Sequence, residues 1–231
     1  MPSPNEHRPG PLVLVGGGEW QEGATYDAPL IDSAGGTVLV MPTAAAYEHP
    51  ERALEQAKAW FANFGGSVEA AMVLSRKDAE DGELAEQVRR ASFIYLPGGS
   101  PMHLRSVLKD SSVLHAIAQA WHDGAIIAGS SAGAMALTDP MVDPRGGAFT
   151  VGLGLVRDVA IVPHYHGELS AQLKRTVALT PDGCCVVALG EQTALIRDGD
   201  GSWRVEGRGE FAVYANRKES DLTELAGKAI W

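Results

Sequence analysis

Short apolar runs alternate along the chain with stretches in which apolar positions recur every three or four residues. This rhythm predicts strands alternating with amphipathic helices. Leu12-Val13-Leu14-Val15 runs directly into Gly16-Gly17-Gly18, and Thr37-Val38-Leu39-Val40-Met41 ends at Pro42. Between Pro50 and Gly65, Leu54, Ala57, Phe61 and Phe64 fall on one helical face. Val68 to Leu74 reads as a strand, Leu84, Val88 and Ala91 mark a helix, and Phe93-Ile94-Tyr95-Leu96 is the next strand. Helical spacing returns over Met102–Leu108. It recurs at Val113, Leu114, Ile117 and Trp121, with Ser111 or Ser112 as the N-cap. Ala125-Ile126-Ile127-Ala128 is a further strand.

Near-continuous apolar strands separated by helices indicate an α/β fold, a mostly parallel sheet with helices on both faces in three layers. After Val159 the texture changes. Val159–Val162, Cys184–Leu189, Thr193–Arg197, Ser202–Glu206 and Phe211–Ala215 lie close together, with turn signals such as Asp198-Gly199-Asp200-Gly201 between them. They read as strands and a hairpin that extend or edge the same sheet. No linker or internal repeat interrupts the pattern. A single domain over residues 12–231 is expected, preceded by a flexible lead over residues 1–11 that is rich in Pro and polar residues.

Composition narrows the function classes. A formal net charge of −10 and no Lys/Arg run argue against nucleic-acid binding, which needs a basic stripe. No apolar stretch approaches the ~20 residues that cross a bilayer. Cys184 and Cys185 are neighbours in a strand-like run and point to opposite faces. They are poor disulfide partners, in keeping with a reducing cytoplasm. Neither they nor the histidines have metal-ligand spacing, so no metal or organic cofactor is expected.

The chemistry concentrates at strand ends. Ala125–Ala128 leads into Gly129-Ser130-Ser131-Ala132-Gly133-Ala134, which has the form small-x-Ser-x-Gly. A nucleophile on a sharp strand-to-helix turn needs small neighbours, and the N–H of Ala132 could face an oxyanion. The competing readings are an ordinary small-residue turn or a phosphate-binding loop. Ser130 lacks the Ser-x-Gly register and is expected to pack or bond locally. A serine also needs a base and an acid. His164 stands at a strand end in Val162-Pro163-His164-Tyr165-His166, with His166 further into the loop, and Glu191 follows the next apolar strand. Leu96-Pro97-Gly98-Gly99-Ser100 closes the strand before that of Ser131, and either Gly98 or Gly99 could supply a second oxyanion N–H. Gly16-Gly17-Gly18-Glu19 lacks the dinucleotide-binding spacing and receives no role from its sequence. Asp143, in Val142-Asp143-Pro144, reads as turn-forming rather than catalytic.

Taken together, these segments resemble the serine peptidase family that contains cyanophycinase and aspartyl dipeptidase (peptidase E), with its class I glutamine amidotransferase-like, flavodoxin-like fold. The matching strings are Gly16–Glu19, Leu96–Ser100, Gly129–Ala134, Pro163-His164-Tyr165, and Gly190-Glu191 with Thr193-Ala194-Leu195. The resemblance implies Ser131 as nucleophile, His164 as general base and Glu191 as orienting acid, with the Gly99 and Ala132 N–H groups as oxyanion hole. It implies a hydrolase acting on a small peptide or isopeptide-like amide through an acyl-enzyme, needing no cofactor. Gly98, His166 and Arg175 are the candidate substrate contacts. An aspartyl substrate would need a cation, for which Lys174 and Arg175 are placed after the histidine loop, although His166-Gly167-Glu168 is shorter than the family's loops there. A silent binding protein and an esterase are the alternatives, and Ser131 in place of a cysteine disfavours an amidotransferase. Parallel-sheet enzymes of this size often pair, so a homodimer is an open expectation.

Overall fold

The computed structural model describes residues 8–231. Its centre is a seven-stranded sheet. Five of its strands run parallel: β1 (Leu12–Val15), β2 (Thr37–Val40), β3 (Ser67–Ala70), β4 (Phe93–Leu96) and β5 (Ile126–Ser130). Counted from β2, their order is the flavodoxin-like 2-1-3-4, with β1 in the fifth place.

Both faces of the inner strands are covered, which is why β1, β2 and β4 are almost wholly apolar, while β3 at the edge carries the exposed Ser67 and Glu69. Val13, Val15, Val38, Val40, Phe93 and Tyr95 face α1 (Asp27–Ser33) and α2 (Pro50–Ala62). Phe61 of α2 sits edge-on to Phe93 and Tyr95 there. Leu12, Leu14, Leu39, Ile94, Leu96 and Ile127 face the opposite layer. That layer contains the short α3 (Arg76–Ala79), α4 (Gly82–Arg89), α5 (Pro101–Leu108), α6 (Ser112–His122) and α7 (Ala132–Leu137). Ser111 caps α6 by accepting from the Leu114 N–H at 3.0 Å, which decides between the two candidate serines.

The later strands depart from expectation. After α7 come two short ladders, β6 (Thr138–Asp139) with β9 (Val156–Arg157) and β7 (Met141–Val142) with β8 (Phe149–Thr150). A separate four-stranded sheet then forms from β10 (Val159–Val162), β11 (Cys185–Leu189), β14 (Phe211–Ala215) and β15 (Lys218–Ser220). Of these later strands, only β12 (Thr193–Arg197) and β13 (Trp203–Gly207) extend the first sheet, β12 antiparallel to β1 and β13 antiparallel to β12. The reading of one extended sheet is therefore corrected. Helix α8 (Ala171–Leu179) carries the chain between β10 and β11, which pair in parallel. Periodicity reports that a segment is a strand, not which partner it takes. Helix α1 offers too few apolar positions, Leu30 and Ile31, for its period to stand out.

Residues 1–7 of the expected lead lie outside the described residues. The lead is not free at its end, however. The buried Trp121 indole donates to the Gly10 carbonyl at 2.7 Å, and the Gly10 N–H donates to the Trp121 carbonyl at 2.8 Å. A buried indole needs an acceptor, and this one fixes the approach to β1. Among the described residues no helix is long and apolar enough to cross a membrane. Cys184 and Cys185 are both free and buried.

One buried charge bears on stability. Asp27 is fully buried, and its Oδ2 accepts from Trp60 Nε1 at 2.9 Å. Burial pushes its pKa up to about 7, opposed by the Trp60 hydrogen bond and reinforced by the Glu19 charge. The hydroxyls of Tyr26 and Tyr95 feel the same two carboxylates, and burial raises both. In the unfolded chain Asp27 ionises near the usual carboxylate pKa of about 4. Unfolding between the two values therefore releases a proton, and stability falls as pH rises, levelling off above about 7. The total is on the order of 2–4 kcal/mol. Asp27→Asn keeps an acceptor for Trp60 and removes the ionisation. Its Tm should decline less than the parent's between pH 5 and pH 8, and identical slopes would refute the assignment.

Candidate active site

The carboxyl end of β5 delivers Ser131 in a strained backbone conformation, with φ 48° and ψ −105°. The Ser131 N–H donates to the Val15 carbonyl at 2.9 Å, and its carbonyl accepts from the Met135 N–H at 3.0 Å. The turn is thus tied to β1 behind and to α7 ahead. The flanking glycines are sterically required. A Cβ on Gly129 would lie 2.6 Å from the Gly133 carbonyl carbon, and one on Gly133 would lie 2.0 Å from the Leu96 carbonyl oxygen.

His164 follows β10 with φ 56°. Its N–H donates to the Gly16 carbonyl at 2.8 Å, and the next N–H, of Tyr165, donates to the Leu189 carbonyl at 3.0 Å. These bonds turn the imidazole toward β5. His164 Nε2 lies 2.9 Å from Ser131 Oγ, and His164 Nδ1 lies 3.2 Å from Glu191 Oε1. With Nδ1–H donating to Glu191, Nε2 is left to accept from the serine hydroxyl. Glu191 sits in the turn between β11 and β12, where the Gln192 N–H donates to the Gly17 carbonyl at 2.7 Å. His164 and Glu191 are about half exposed, so this pair is open to solvent.

The Gly16–Gly18 turn, which had no role in the sequence reading, makes room for this arrangement. A Cβ on Gly17 would stand 2.4 Å from His164 Cε1, and one on Gly18 would stand 3.1 Å from the Glu191 Cβ. With φ at +125°, Gly17 also occupies backbone space that L side chains rarely enter. The next residue was missed as well. Glu19 Oε1 accepts from the Gly98 N–H at 3.0 Å, and its Oε2 accepts from Ser130 Oγ at 2.7 Å. Ser130 thus bonds to a residue far away in sequence rather than locally. Three consecutive glycines followed by an acid at a strand end were the available signal, and the partners themselves have no local signature.

The two glycines of the Gly98–Gly99 turn differ. The Gly98 N–H is engaged by Glu19. Gly99, with φ +137°, is exposed, and among the described residues no acceptor pairs with its N–H. Ala132, the first residue of α7, is buried, and among the described residues its N–H likewise has no acceptor.

Beside His164 opens a cavity of about 480 Å³ between α7, the Val142–Pro144 segment, the histidine loop and the start of α8. Met135, Val142, Val162 and Leu173 give it an apolar lining, with His166 and Glu168 contributing polar groups. Among the described residues no Lys or Arg lines it. Arg175 and Lys174 are exposed on α8, and Lys174 lines a different depression beside Tyr214. Asp143 serves its own turn. Its carboxylate accepts from the Arg145 backbone and guanidinium, bonds that pull its pKa down to about 2. A larger concavity, about 790 Å³, lies at the amino ends of β2 and β4, where Glu86 and Arg90 line it and none of the candidate residues does.

Comparison with known proteins gives a consistent family. Residues 12–204 match the model of peptidase family S51. The chain is 29% identical over 175 residues to a cyanophycinase of Synechococcus elongatus, and 28% identical over 169 residues to one of Trichormus variabilis. Each match covers 68% of this chain and 54% of the relative, so the chain spans about half the length of these curated relatives. Its structure is similar to the crystal structure of a peptidase from an acI-B1 actinobacterium, with TM-score 0.83, 27% identity and 98% of each chain covered. In fold it is also similar to a putative peptidase E protein from Listeria monocytogenes, with TM-score 0.61, 20% identity, and 87% of this chain and 99% of that chain covered.

Proposed function

The chain belongs to peptidase family S51, and on that premise we propose that it is a serine hydrolase cleaving a small peptide or isopeptide-like amide. The observation that carries this reading is the series Ser131 Oγ–His164 Nε2–Glu191 Oε1, at 2.9 and 3.2 Å, standing on a strained turn. In the proposed reaction His164 Nε2 takes the Ser131 proton as Oγ attacks the carbonyl carbon. Charge then develops on the carbonyl oxygen, where the free N–H groups of Gly99 and Ala132 would receive it. His164 returns the proton to the leaving amine, and the acyl group remains on Ser131. A water molecule, deprotonated by His164, attacks the ester and frees the acid. Glu191 holds the ring and balances the imidazolium charge. Amidotransferase chemistry would want a cysteine where Ser131 stands. Both cysteines are instead buried at β11, and burial pushes the Cys184 thiol up to about 12. The same two buried free thiols favour a reducing, cytoplasmic setting.

The cavity beside His164 supports a substrate with a neutral, apolar side chain next to the scissile bond. A carboxylate placed there would be desolvated without a cation, and Glu168 would repel it. Leucyl or phenylalanyl dipeptides should therefore exceed their aspartyl counterparts in kcat/KM by about tenfold or more. The experiment is a panel of dipeptides and isoaspartyl dipeptides, run beside peptide mapping of the fluorophosphonate adduct. Preferential aspartyl cleavage would overturn the specificity. Absence of both turnover and an adduct on Ser131 would overturn the serine-hydrolase reading itself.

A further inference from the structure

We propose that Glu19 is a positioning residue that fixes the Gly98–Gly99 turn relative to Ser131. The inference rests on the serine-hydrolase reading above. One carboxylate bridges the ends of two adjacent strands. Oε1 accepts from the Gly98 N–H at the end of β4, and Oε2 accepts from Ser130 Oγ at the end of β5. Ser130 is fully buried and immediately precedes Ser131, so this bond holds the elbow from within. Gly98 immediately precedes Gly99, so the other bond holds the turn that faces it.

The far side of that turn is anchored too, because the Ser100 N–H donates to the Ala44 carbonyl at 2.8 Å. The Gly99 N–H is therefore the unpaired amide between two tethered ones. A Cβ at Gly99 would meet the Ala44 carbonyl oxygen at 2.4 Å, which leaves the turn little room to adjust.

Glu19 makes no ion pair among the described residues. A half-buried carboxylate without a cation is costly to desolvate, and both of its oxygens are occupied by donors from the two elements that must be held in register. An anion so close to a developing oxyanion does not help by its charge. What it supplies is geometry. Glutamine at this position retains a carbonyl oxygen for Gly98, and its amide can donate to Ser130 Oγ. It should therefore preserve the turn without the charge.

The experiment compares the parent, Glu19→Ala and Glu19→Gln in the rate constant for fluorophosphonate labelling of Ser131. kcat and KM on the best dipeptide of the panel, and Tm, are measured alongside. Glu19→Ala should label about 10²-fold more slowly, the usual consequence of losing one oxyanion donor, with KM little changed. Glu19→Gln should restore the rate to within about tenfold of the parent. If Glu19→Ala does not fold, Glu19→Asp replaces it. One methylene shorter, it cannot reach both partners, and the same loss is expected. A Glu19→Ala protein that labels at the parent rate, whatever its Tm, would overturn the proposal, and so would a Gln variant as slow as Ala. A parent that never labels at Ser131 would instead sink the serine-hydrolase reading, which keeps the two failures apart.

Discussion

Replacing Ser131 with alanine should abolish fluorophosphonate labelling and lower peptide turnover by roughly 10³–10⁶-fold, with little change in Tm. The size follows from the roles proposed. Without Oγ there is no atom to carry the acyl group, and what remains is binding and charge stabilisation of direct water attack. The stability forecast follows from the backbone. Alanine suffers the same positive φ as serine, so the strain stays and the fold is unaffected. Glycine tolerates φ 48°, so Ser131→Gly should be equally inactive but more stable, by about 1 kcal/mol. Undiminished labelling of the alanine variant would remove Ser131 from the mechanism. A large drop in its Tm would mean that the hydroxyl holds the turn rather than reacting on it.

The second large effect is steric. Gly133→Ala should destabilise the protein by about 3–5 kcal/mol and suppress labelling of Ser131 together with it. The new Cβ would lie 2.0 Å from the Leu96 carbonyl oxygen, a backbone atom in a fully buried strand that has nowhere to go. Relief requires α7 to lift from β4, and Ser131 is the residue that leads into α7. For a chain of this length the loss corresponds to a Tm lower by roughly 10 °C. Gly82→Ala is the matched control. Its Cβ would meet nothing within 4 Å, and it opens α4, where alanine is the better helix former. Calorimetry on the pair checks the contrast, and a Gly133→Ala protein within a degree or two of the parent would refute it.

Much of the fold could be read because the inner parallel strands are buried on both faces and so spelled in nearly unbroken apolar letters, which the edge strand β3, with Ser67 and Glu69 exposed, is not. Leu12-Val13-Leu14-Val15 sends alternate side chains into two different cores. The candidate site was legible for a related reason. Ser131, His164 and Glu191 each follow such a strand, and the structure brings all three within hydrogen-bonding range. What could not be read is what depends on pairing across long separations. Strand character does not reveal that β10 and β11 leave the main sheet while β12 returns to it. Nothing near Glu19 announces Gly98 or Ser130 as partners. Gly17 is explained only once the His164 ring is seen against it. Arg175 fared differently from His166, since only the latter borders the cavity next to His164. Three residues, from Gln172 at the cavity wall to Arg175 beyond it, separate a lining residue from one outside the cavity, and the start of a helix could not be fixed that closely from spacing alone.

Ser131 rises from one sheet, while His164 leaves the other. The 2.9 Å between them is thus measured across a joint between two separately hydrogen-bonded ladders, not within either. The joint is stitched beside the serine by the His164 N–H bond to the Gly16 carbonyl, at 2.8 Å, and the Gln192 N–H bond to the Gly17 carbonyl, at 2.7 Å, neither of which belongs to a ladder. Breaking them would part the serine from its base while both ladders, and the circular dichroism they produce, stayed intact. In this chain competence is a property of the seam, and a probe that reacts with Ser131 is a gauge of how tightly that seam is closed.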